Sequence, residues 1–394
     1  MAPSGSPLSG EVVVSMTVRN DVGFPCQMSS AAVVNATTSS ADRAPSTTAY
    51  PSSSNGRIFS GSMVLSRQSG PLGSSPRLPA SSRLHIVGAF WPQRVSTGYS
   101  KSRLEEDMQV GGGDFVYEFE EGWGCLPEEI SLGWVAAVAV DSLDRVYVYS
   151  RSDNPVVVFD REGNFLCSWG QDLLQDAHGI YIEADDTIWC VERETHCVRK
   201  VTTDGMLLMT IGTPNQEGER EGEPFRLPTD IGFDAEGHIY VSDGYGNARV
   251  HKFSPTGELI YSWGEPGSGP GQFDLPHCVR VDRRGRVLVA DRANNRIQIF
   301  DTSGNYVEEW GDLNHPDTIH IDADDIVYVA EMDQRISILS LDGELLARWG
   351  DGVRREAPGQ FHGCPHGIWT DSRGDLYVSE VQTDGRFQKF VRRT

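Results

Sequence analysis

Three histidines occupy the same position relative to a short acidic turn. His178, His277 and His366 each lie five residues before the first acid of such a turn, although 99 and 89 residues separate them along the chain. Imidazole nitrogens are common ligands of Zn²⁺, and three of them with an open fourth position form a catalytic zinc site. The same ligands also suit Fe²⁺, Mn²⁺ or Co²⁺. The shared register therefore predicts a transition-metal site, provided that the fold brings the three segments together.

Four further residues are candidates for acting beside such a metal. Arg151 ends a strand-like apolar run, and its guanidinium could hold a substrate carboxylate through paired hydrogen bonds. The alternative for Arg151 is a surface ion pair. Tyr245 lies in a Gly-rich strand end, where its phenol could serve as a base near the metal or simply pack in a channel. Asp230 and Asp317 are expected at the same rim, as partners for the histidine ring nitrogens.

The elements that must position these residues repeat along most of the chain. Each unit has a short apolar strand, an acidic turn and further strands, and Trp-Gly pairs recur at the ends of units. The first acids of the six turns are separated by 42, 51, 48, 40 and 49 residues: Asp141, Glu183, Asp234, Asp282, Asp322 and Asp371. Four strands in each 40–50 residues, six times over, predict an all-β fold, a six-bladed β-propeller.

The propeller explains how distant histidines could meet. The first strand of each blade lines the central channel, and the histidines fall in blades two, four and six, which lie about 120° apart around a six-fold ring. Blade six has three strands before the chain stops at Thr394, whereas the segment 114–120 precedes blade one without a partner there. We expect this N-terminal segment to supply the missing outer strand and to close the ring.

Composition divides the chain at about residue 110. The 394 residues carry a net charge of −22, but residues 1–103 hold nine basic and three acidic residues, so the charge of the remainder is −28. The Ser-rich segment 1–110 is expected to be disordered or a targeting segment such as an organelle transit peptide. A further alternative is that the start at Met1 is mis-assigned and that translation begins at Met63 or Met108. Residues 111–394 are expected to form the propeller.

Charge and cysteines constrain the partners and the compartment. An acidic propeller repels nucleic acid and anionic membrane surfaces, and no run of 18 apolar residues is present to span a bilayer. We expect neither partner, and we expect a monomer. The seven cysteines show no CxxC or zinc-finger spacing. Free thiols favour a cytoplasmic or organellar location over secretion, although the compartment itself stays unknown.

Several stretches resemble one enzyme family. The motifs Ala-His-Gly-Ile (177–180), Val-Ser-Asp-Gly-Tyr-Gly-Asn-Ala-Arg (241–249), Gly-Gln-Phe-Asp-Leu-Pro-His (271–277) and Cys-Pro-His-Gly (364–367) are similar to those of the peptidyl-α-hydroxyglycine α-amidating lyases. This family includes the lyase domain of peptidylglycine α-amidating monooxygenase and its bacterial relatives. The resemblance covers residues 114–391 and implies a propeller built of NHL repeats.

The resemblance also implies an activity. Members of this family cleave the hemiaminal N–C bond of a peptidyl-α-hydroxyglycine to a peptide amide and glyoxylate. For this chain it implies that the three histidines bind the catalytic zinc, that Tyr245 removes a proton and that Arg151 engages the substrate's carboxylate. The expected substrate is therefore a peptide-derived or small hydroxy compound that carries a carboxylate.

Two positions depart from the family pattern. Cys364 stands where the family has Met, and it is either a soft neighbour of the metal or a packing residue. Gly367 stands where the family has the Asp of a structural calcium site, which also uses backbone carbonyls at the positions of Val138 and Ile180. Because Gly367 supplies no carboxylate, we expect Zn²⁺ rather than Ca²⁺ as the cofactor.

Two other functions stay open on the sequence. A zinc-bound hydroxide in a propeller channel can attack an ester, so a metal-dependent hydrolase such as a lactonase is one alternative. The other is an NHL scaffold that binds a ligand or protein without catalysis. Stoichiometric metal would argue against the scaffold, and product analysis would separate lyase from hydrolase.

Overall fold

The computed structural model describes residues 109–393, apart from residues 219 and 221. Within them, twenty-five strands form six antiparallel sheets, and the first strands of successive sheets contact one another in a closed ring. The all-β six-bladed propeller predicted from the repeats is confirmed. The predictions for the segment 1–110 fall almost entirely outside the described residues.

Blades one to five are four-stranded and follow the chain in order. Blade one contains β3 (Val135–Val140), β4 (Val146–Ser150), β5 (Val156–Phe159) and β6 (Phe165–Trp169). Blade two contains β7 (Ala177–Ile182), β8 (Ile188–Glu192), β9 (Cys197–Val201) and β10 (Leu207–Ile211). Blade three contains β11 (Asp230–Phe233), β12 (Ile239–Asp243), β13 (Arg249–Phe253) and β14 (Leu259–Trp263). Blade four contains β15 (Pro276–Val281), β16 (Val287–Asp291), β17 (Arg296–Phe300) and β18 (Tyr306–Trp310). Blade five contains β19 (Pro316–Ile321), β20 (Val327–Glu331), β21 (Arg335–Leu339) and β22 (Leu345–Trp349).

Blade six joins the two ends of the described chain. It contains β23 (Cys364–Thr370), β24 (Leu376–Val381), β25 (Phe387–Arg393), β2 (Phe115–Phe119) and β1 (Gln109–Gly112). β2 pairs with β25 in the register Val116–Arg393 to Phe119–Phe390, which confirms that the N-terminal segment supplies the missing strand. β1 adds a fifth strand outside β2, which the repeat pattern did not predict. The edge of β25 that β24 leaves unpaired is thereby covered.

The sequence of each strand matches its depth in a blade. The inner strand β3 is buried at all six positions, because the neighbouring blades cover both of its faces. The outer strand β18 is exposed at four of its five positions, and only Trp310 packs inward. Apolar and β-branched residues therefore concentrate in the strands that line the channel, where they hold the site residues rigidly.

Side-chain hydrogen bonds join some blades at the turns between their first and second strands. Asp186 of blade two, at φ 63°, accepts from the backbone nitrogen and the hydroxyl of Ser142 in blade one, at 2.8 and 2.7 Å. Asp144 of blade one holds Ser372 of blade six in the same way, at 2.9 and 2.7 Å. Where the turn has Gly instead, as at Gly237 (φ 81°), the backbone conformation is kept but the side-chain bridge is lost.

In the described part of the chain, no helix is long and apolar enough to cross a membrane. The six cysteines of that part form no disulfide with one another.

Candidate functional site

The three predicted histidines meet in the central channel. They lie at the starts of the inner strands β7, β15 and β23, and each is buried, with at most 3% of its surface exposed. The ring centroids of His178 and His277 are 4.8 Å apart, and each lies 5.0 Å from that of His366.

One nitrogen of each imidazole is used to orient the ring. Each Nδ1 donates to the backbone carbonyl of the residue at the same register position in the next blade. The three pairs are His178 with Thr229 (2.7 Å), His277 with Asp317 (3.1 Å) and His366 with Ala136 (2.6 Å). Because the proton is on Nδ1 in each neutral ring, the lone pair is on Nε2. One nitrogen from each ring lies within 4.8 Å of the others, an arrangement that could hold a metal ion.

Burial keeps these rings neutral. It lowers the pKa of His178 and His277 well below the usual value of 6.5, and it lowers the pKa of His366 to about 3. Neighbouring positive charge acts in the same direction, with Arg151 next in importance for His366. Neutral imidazole is the form that binds a metal, so the protein's own environment prepares the donor set.

Tyr245 follows β12 in blade three and stands between two of the rings. Its phenol oxygen is 3.4 Å from Nε2 of His178 and 3.3 Å from Nε2 of His277. Arg292 donates from Nη1 to the same oxygen at 3.3 Å. The guanidinium carbons of Arg292 and Arg193 lie 5.3 and 5.4 Å from the centre of the tyrosine ring.

Arg151 follows β4 in blade one and contacts the strand that carries His178. Its Nε donates to the carbonyl of Ala177 at 3.0 Å, next to His178, and Nε is 3.7 Å from Asp176. Burial lowers the pKa of Arg151. The described residues accept no hydrogen bond from its two terminal nitrogens, so that pair of donors is available to a carboxylate.

The two predicted aspartates differ in their roles. Asp317 lies in the site: Oδ1 is 2.9 Å from Nη1 of Arg292 and 3.1 Å from Nδ1 of His277, and burial raises its pKa to about 7. Asp230 also lies in the channel, but its Oδ2 accepts from Nη1 of Arg280 at 2.7 Å. Asp230 is therefore half of a buried ion pair rather than a partner of an imidazole.

The two positions that depart from the family pattern are both packed. Cys364 accepts from Nη2 of Arg354 at 3.3 Å, and burial raises the pKa of its thiol. At Gly367, a Cβ atom would lie 2.7 Å from the Cα of Ala137, so no side chain fits. Val138 and Ile180 are buried in β3 and β7, and Gly367 supplies no carboxylate to the implied calcium site.

The sequence interpretation missed Arg193 and Arg292. Both directly follow the second strand of their blades, as Arg151 does. An alignment on the end of the second strand, in addition to the turn acids, would have placed all three arginines at the same end of the ring. The register of the first strands, which places the histidines, does not single out Arg193 or Arg292.

Comparison with known proteins identifies the repeat. Residues 225–253 and 273–300 match the NHL repeat. The propeller therefore contains NHL repeats. It is 35% identical over 209 residues to human NHL repeat-containing protein 3, covering 50% of this chain and 60% of that protein. The chain therefore spans less than two thirds of the length of this relative.

The resemblance to amidating lyases is confirmed. The chain is 33% identical over 227 residues to rat peptidylglycine alpha-amidating monooxygenase, covering 48% of this chain and 22% of that protein. It is 28% identical to the Drosophila melanogaster peptidyl-alpha-hydroxyglycine alpha-amidating lyase 1, covering 48% and 41%. The chain thus spans less than two thirds of each of these relatives.

A solved structure supports the architecture alone. A gluconolactonase from Xanthomonas campestris superposes with a TM-score of 0.51 at 13% identity, covering 73% of this chain and 92% of that one. At 13% identity the match supports the propeller fold and nothing more specific.

Proposed function

We propose that this NHL-repeat propeller is a metal-dependent lyase that cleaves the N–C bond of a peptidyl- or N-acyl-α-hydroxyglycine, or of a related hydroxy compound, to an amide and glyoxylate. The observation that carries the proposal is the position of the Tyr245 phenol, 3.3–3.4 Å from two of three converging imidazoles. The names of the amidating-lyase relatives support the same reaction class.

His178, His277 and His366 would hold the metal, and their chemistry fits one. Three neutral imidazoles present lone pairs to one another in a buried channel, an arrangement that is repulsive unless a cation or proton donors lie among them. When bound there, Zn²⁺ or another divalent transition metal supplies a Lewis acid that polarises an oxygen of the substrate.

Arg151 holds the substrate. Its two terminal nitrogens match the geometry of a carboxylate, and a charge-assisted pair of hydrogen bonds fixes both position and orientation. Its Nε is already committed to the carbonyl of Ala177, so the guanidinium plane is set before the substrate arrives. The carbon between the hydroxyl, the nitrogen and the carboxylate is then held near Tyr245.

Tyr245 moves the proton. Acting as the base, its phenol oxygen takes the proton of the substrate's hydroxyl, the C–O bond becomes C=O, and the C–N bond breaks with its electron pair moving to nitrogen. The same proton is then delivered to the departing amide nitrogen, so atoms and charge balance and no water is consumed. The hydrogen bond from Arg292 to the phenol oxygen keeps that oxygen in place between these transfers.

The test is product analysis on the full chain with N-benzoyl-α-hydroxyglycine. We expect benzamide and glyoxylate in equal amounts from protein that contains about one transition metal per chain. Release of acid from a simple lactone, with no glyoxylate from the hydroxyglycine, would instead establish the hydrolase. Protein that takes up no stoichiometric transition metal would rule out both enzymes and leave the scaffold.

A further inference from the structure

Two buried hydrogen-bond acceptors face each other at one side of the histidine cluster. Nε2 of His366 lies 3.3 Å from Oδ2 of Asp317. Nδ1 of His366 donates to the Ala136 carbonyl, so the neutral ring presents a lone pair at Nε2. Asp317 is fully buried, and its Oδ2 has no hydrogen-bond partner. A lone pair and a carboxylate oxygen at this distance repel in a low-dielectric channel unless a proton or a metal cation lies between them.

The separation of the two atoms is that of two ligands of one metal. Protein nitrogen and oxygen donors bind Zn²⁺ at about 2.0–2.2 Å, and at a tetrahedral angle two such donors lie roughly 3.4 Å apart. The distance of 3.3 Å between Nε2 of His366 and Oδ2 of Asp317 matches this value for that one pair of atoms. Asp317 lies outside the group of three histidine nitrogens that are within 4.8 Å of one another, so a single ion bound by all four residues would draw the carboxylate toward the other two imidazoles.

The other oxygen of the carboxylate is fixed. Oδ1 of Asp317 accepts from Nη1 of Arg292 at 2.9 Å and lies 3.1 Å from Nδ1 of His277. These contacts set the rotation of the carboxyl group, and they leave Oδ2 directed to the side where His366 presents its lone pair. One oxygen is thus used for orientation and the other is kept free of protein donors.

We propose that Asp317 is a fourth protein ligand of the metal held by His178, His277 and His366. This inference rests on the metal binding of the proposed function and goes beyond it, because the resemblance implies three histidines only. A set of three imidazoles and one carboxylate reduces the charge of the site by one. It also suits ions that accept five or six donors, such as Fe²⁺, Mn²⁺ and Co²⁺, as well as Zn²⁺.

A simpler role for Asp317 would be to orient His277 through the contact at Nδ1. The variant Asp317→Asn separates the two roles. The amide oxygen of asparagine can still accept from Arg292 and stay beside His277, whereas its NH₂ group replaces Oδ2 and cannot bind a metal. Loss of orientation alone typically weakens metal binding 10–100-fold, and this variant keeps the orienting oxygen.

The experiment measures Co²⁺ binding by the full chain, through competition with a chelator and through the visible absorption of the bound ion. For Asp317→Asn we expect at least about 100-fold weaker binding and a changed visible spectrum, because the number of donors falls. Asp230→Asn is the matched control: it alters another buried channel aspartate, which contacts Arg280 instead, and should bind Co²⁺ within about 3-fold of the wild type.

Circular dichroism checks that each variant is folded, and Asp317→Ser serves as a second variant if the first is not. Affinity within about 3-fold and an unchanged spectrum in a folded Asp317 variant would overturn the inference. Glyoxylate release is measured in parallel on the wild type. If the wild type releases glyoxylate and the Asp317 variant binds Co²⁺ as tightly as the wild type, only the role of Asp317 as fourth ligand is refuted. If the Asp317 variant binds Co²⁺ more weakly but the wild type releases no glyoxylate, only the lyase activity is refuted. Wild type that binds no metal refutes both.

Discussion

Nδ1 of His366, in the last blade, donates to the backbone carbonyl of Ala136, in the first blade, at 2.6 Å. This hydrogen bond spans the junction where the propeller closes, across 230 residues of sequence. The orientation of one metal-ligand candidate therefore depends on closure of the ring. Pairing of β2 with β25, although it lies at the outer edge of blade six, stabilises the blade that carries His366.

Removal of one imidazole should abolish metal binding. His277→Ala deletes one of three Nε2 donors, and we expect a fall from about one transition metal per chain to a small fraction, measured by elemental analysis after dialysis. His320→Gln is the control, since His320 is also buried in an inner strand but bonds to Thr370 at 2.8 Å. Full metal content in His277→Ala would contradict the assignment.

Tyr245→Phe should lose catalysis and keep the metal. General acid–base groups contribute roughly 10²–10⁴-fold to rate, so we expect kcat for glyoxylate release to fall by about that factor at unchanged metal content. Tyr240→Phe is a matched control on the same blade, because its hydroxyl bonds to Asp234 at 3.0 Å away from the imidazoles. Equal losses in the two variants would point to folding instead of proton transfer.

Arg151→Lys should weaken substrate binding more than turnover. Lysine keeps the positive charge but loses the paired donors, and one charged hydrogen bond is worth about 1.5–3 kcal/mol. We expect KM to rise by roughly 10–100-fold, with a smaller change in kcat, in steady-state assays of glyoxylate release. The control is Arg145→Lys, which alters an arginine that pairs with Asp141 and should leave both KM and kcat unchanged. A KM at the wild-type value in Arg151→Lys would exclude Arg151 as the residue that binds the substrate's carboxylate.

His320 should make the protein sensitive to acid. Burial lowers its pKa to about 3, whereas an unfolded histidine has a pKa near 6.5. Between these values only the unfolded chain binds the proton, so the free energy of unfolding falls as pH falls, by roughly 1.4 kcal/mol per unit. Denaturant unfolding at pH 6.5 and 5.5 should therefore show a smaller loss in His320→Gln than in the wild type. Parallel losses would show that this imidazole does not titrate as inferred.

Asp186→Gly should weaken the junction of blades one and two. Glycine accepts the φ of 63° without strain, so the variant removes only the two hydrogen bonds to Ser142. We expect a loss of about 1–2 kcal/mol in the free energy of unfolding. Asp186→Ala should lose roughly 1 kcal/mol more, because alanine is disfavoured at this φ, and Ser142→Ala, which removes one of the two bonds, should lose less.

The sequence was sufficient for the parts of the site that follow the repeat. Turn acids at near-constant intervals determine which residues begin each inner strand, and a propeller places equivalent positions at equal depth. His178, His277 and His366 could therefore be assigned to one channel without coordinates. Tyr245 and Arg151 were located by the ends of second strands, where the chain leaves the sheet at the same end of the ring.

Tertiary structure alone decided how the side chains between the blades pair. Asp230 and Asp317 occupy neighbouring register positions in the sequence, yet one pairs with Arg280 and the other contacts His277 and His366. The difference arises because each side chain in the channel meets residues from other blades, whose distance depends on the closed ring and on side-chain rotation. A repeat pattern specifies the depth of a residue in the ring, whereas its partner across the channel is set by packing in three dimensions.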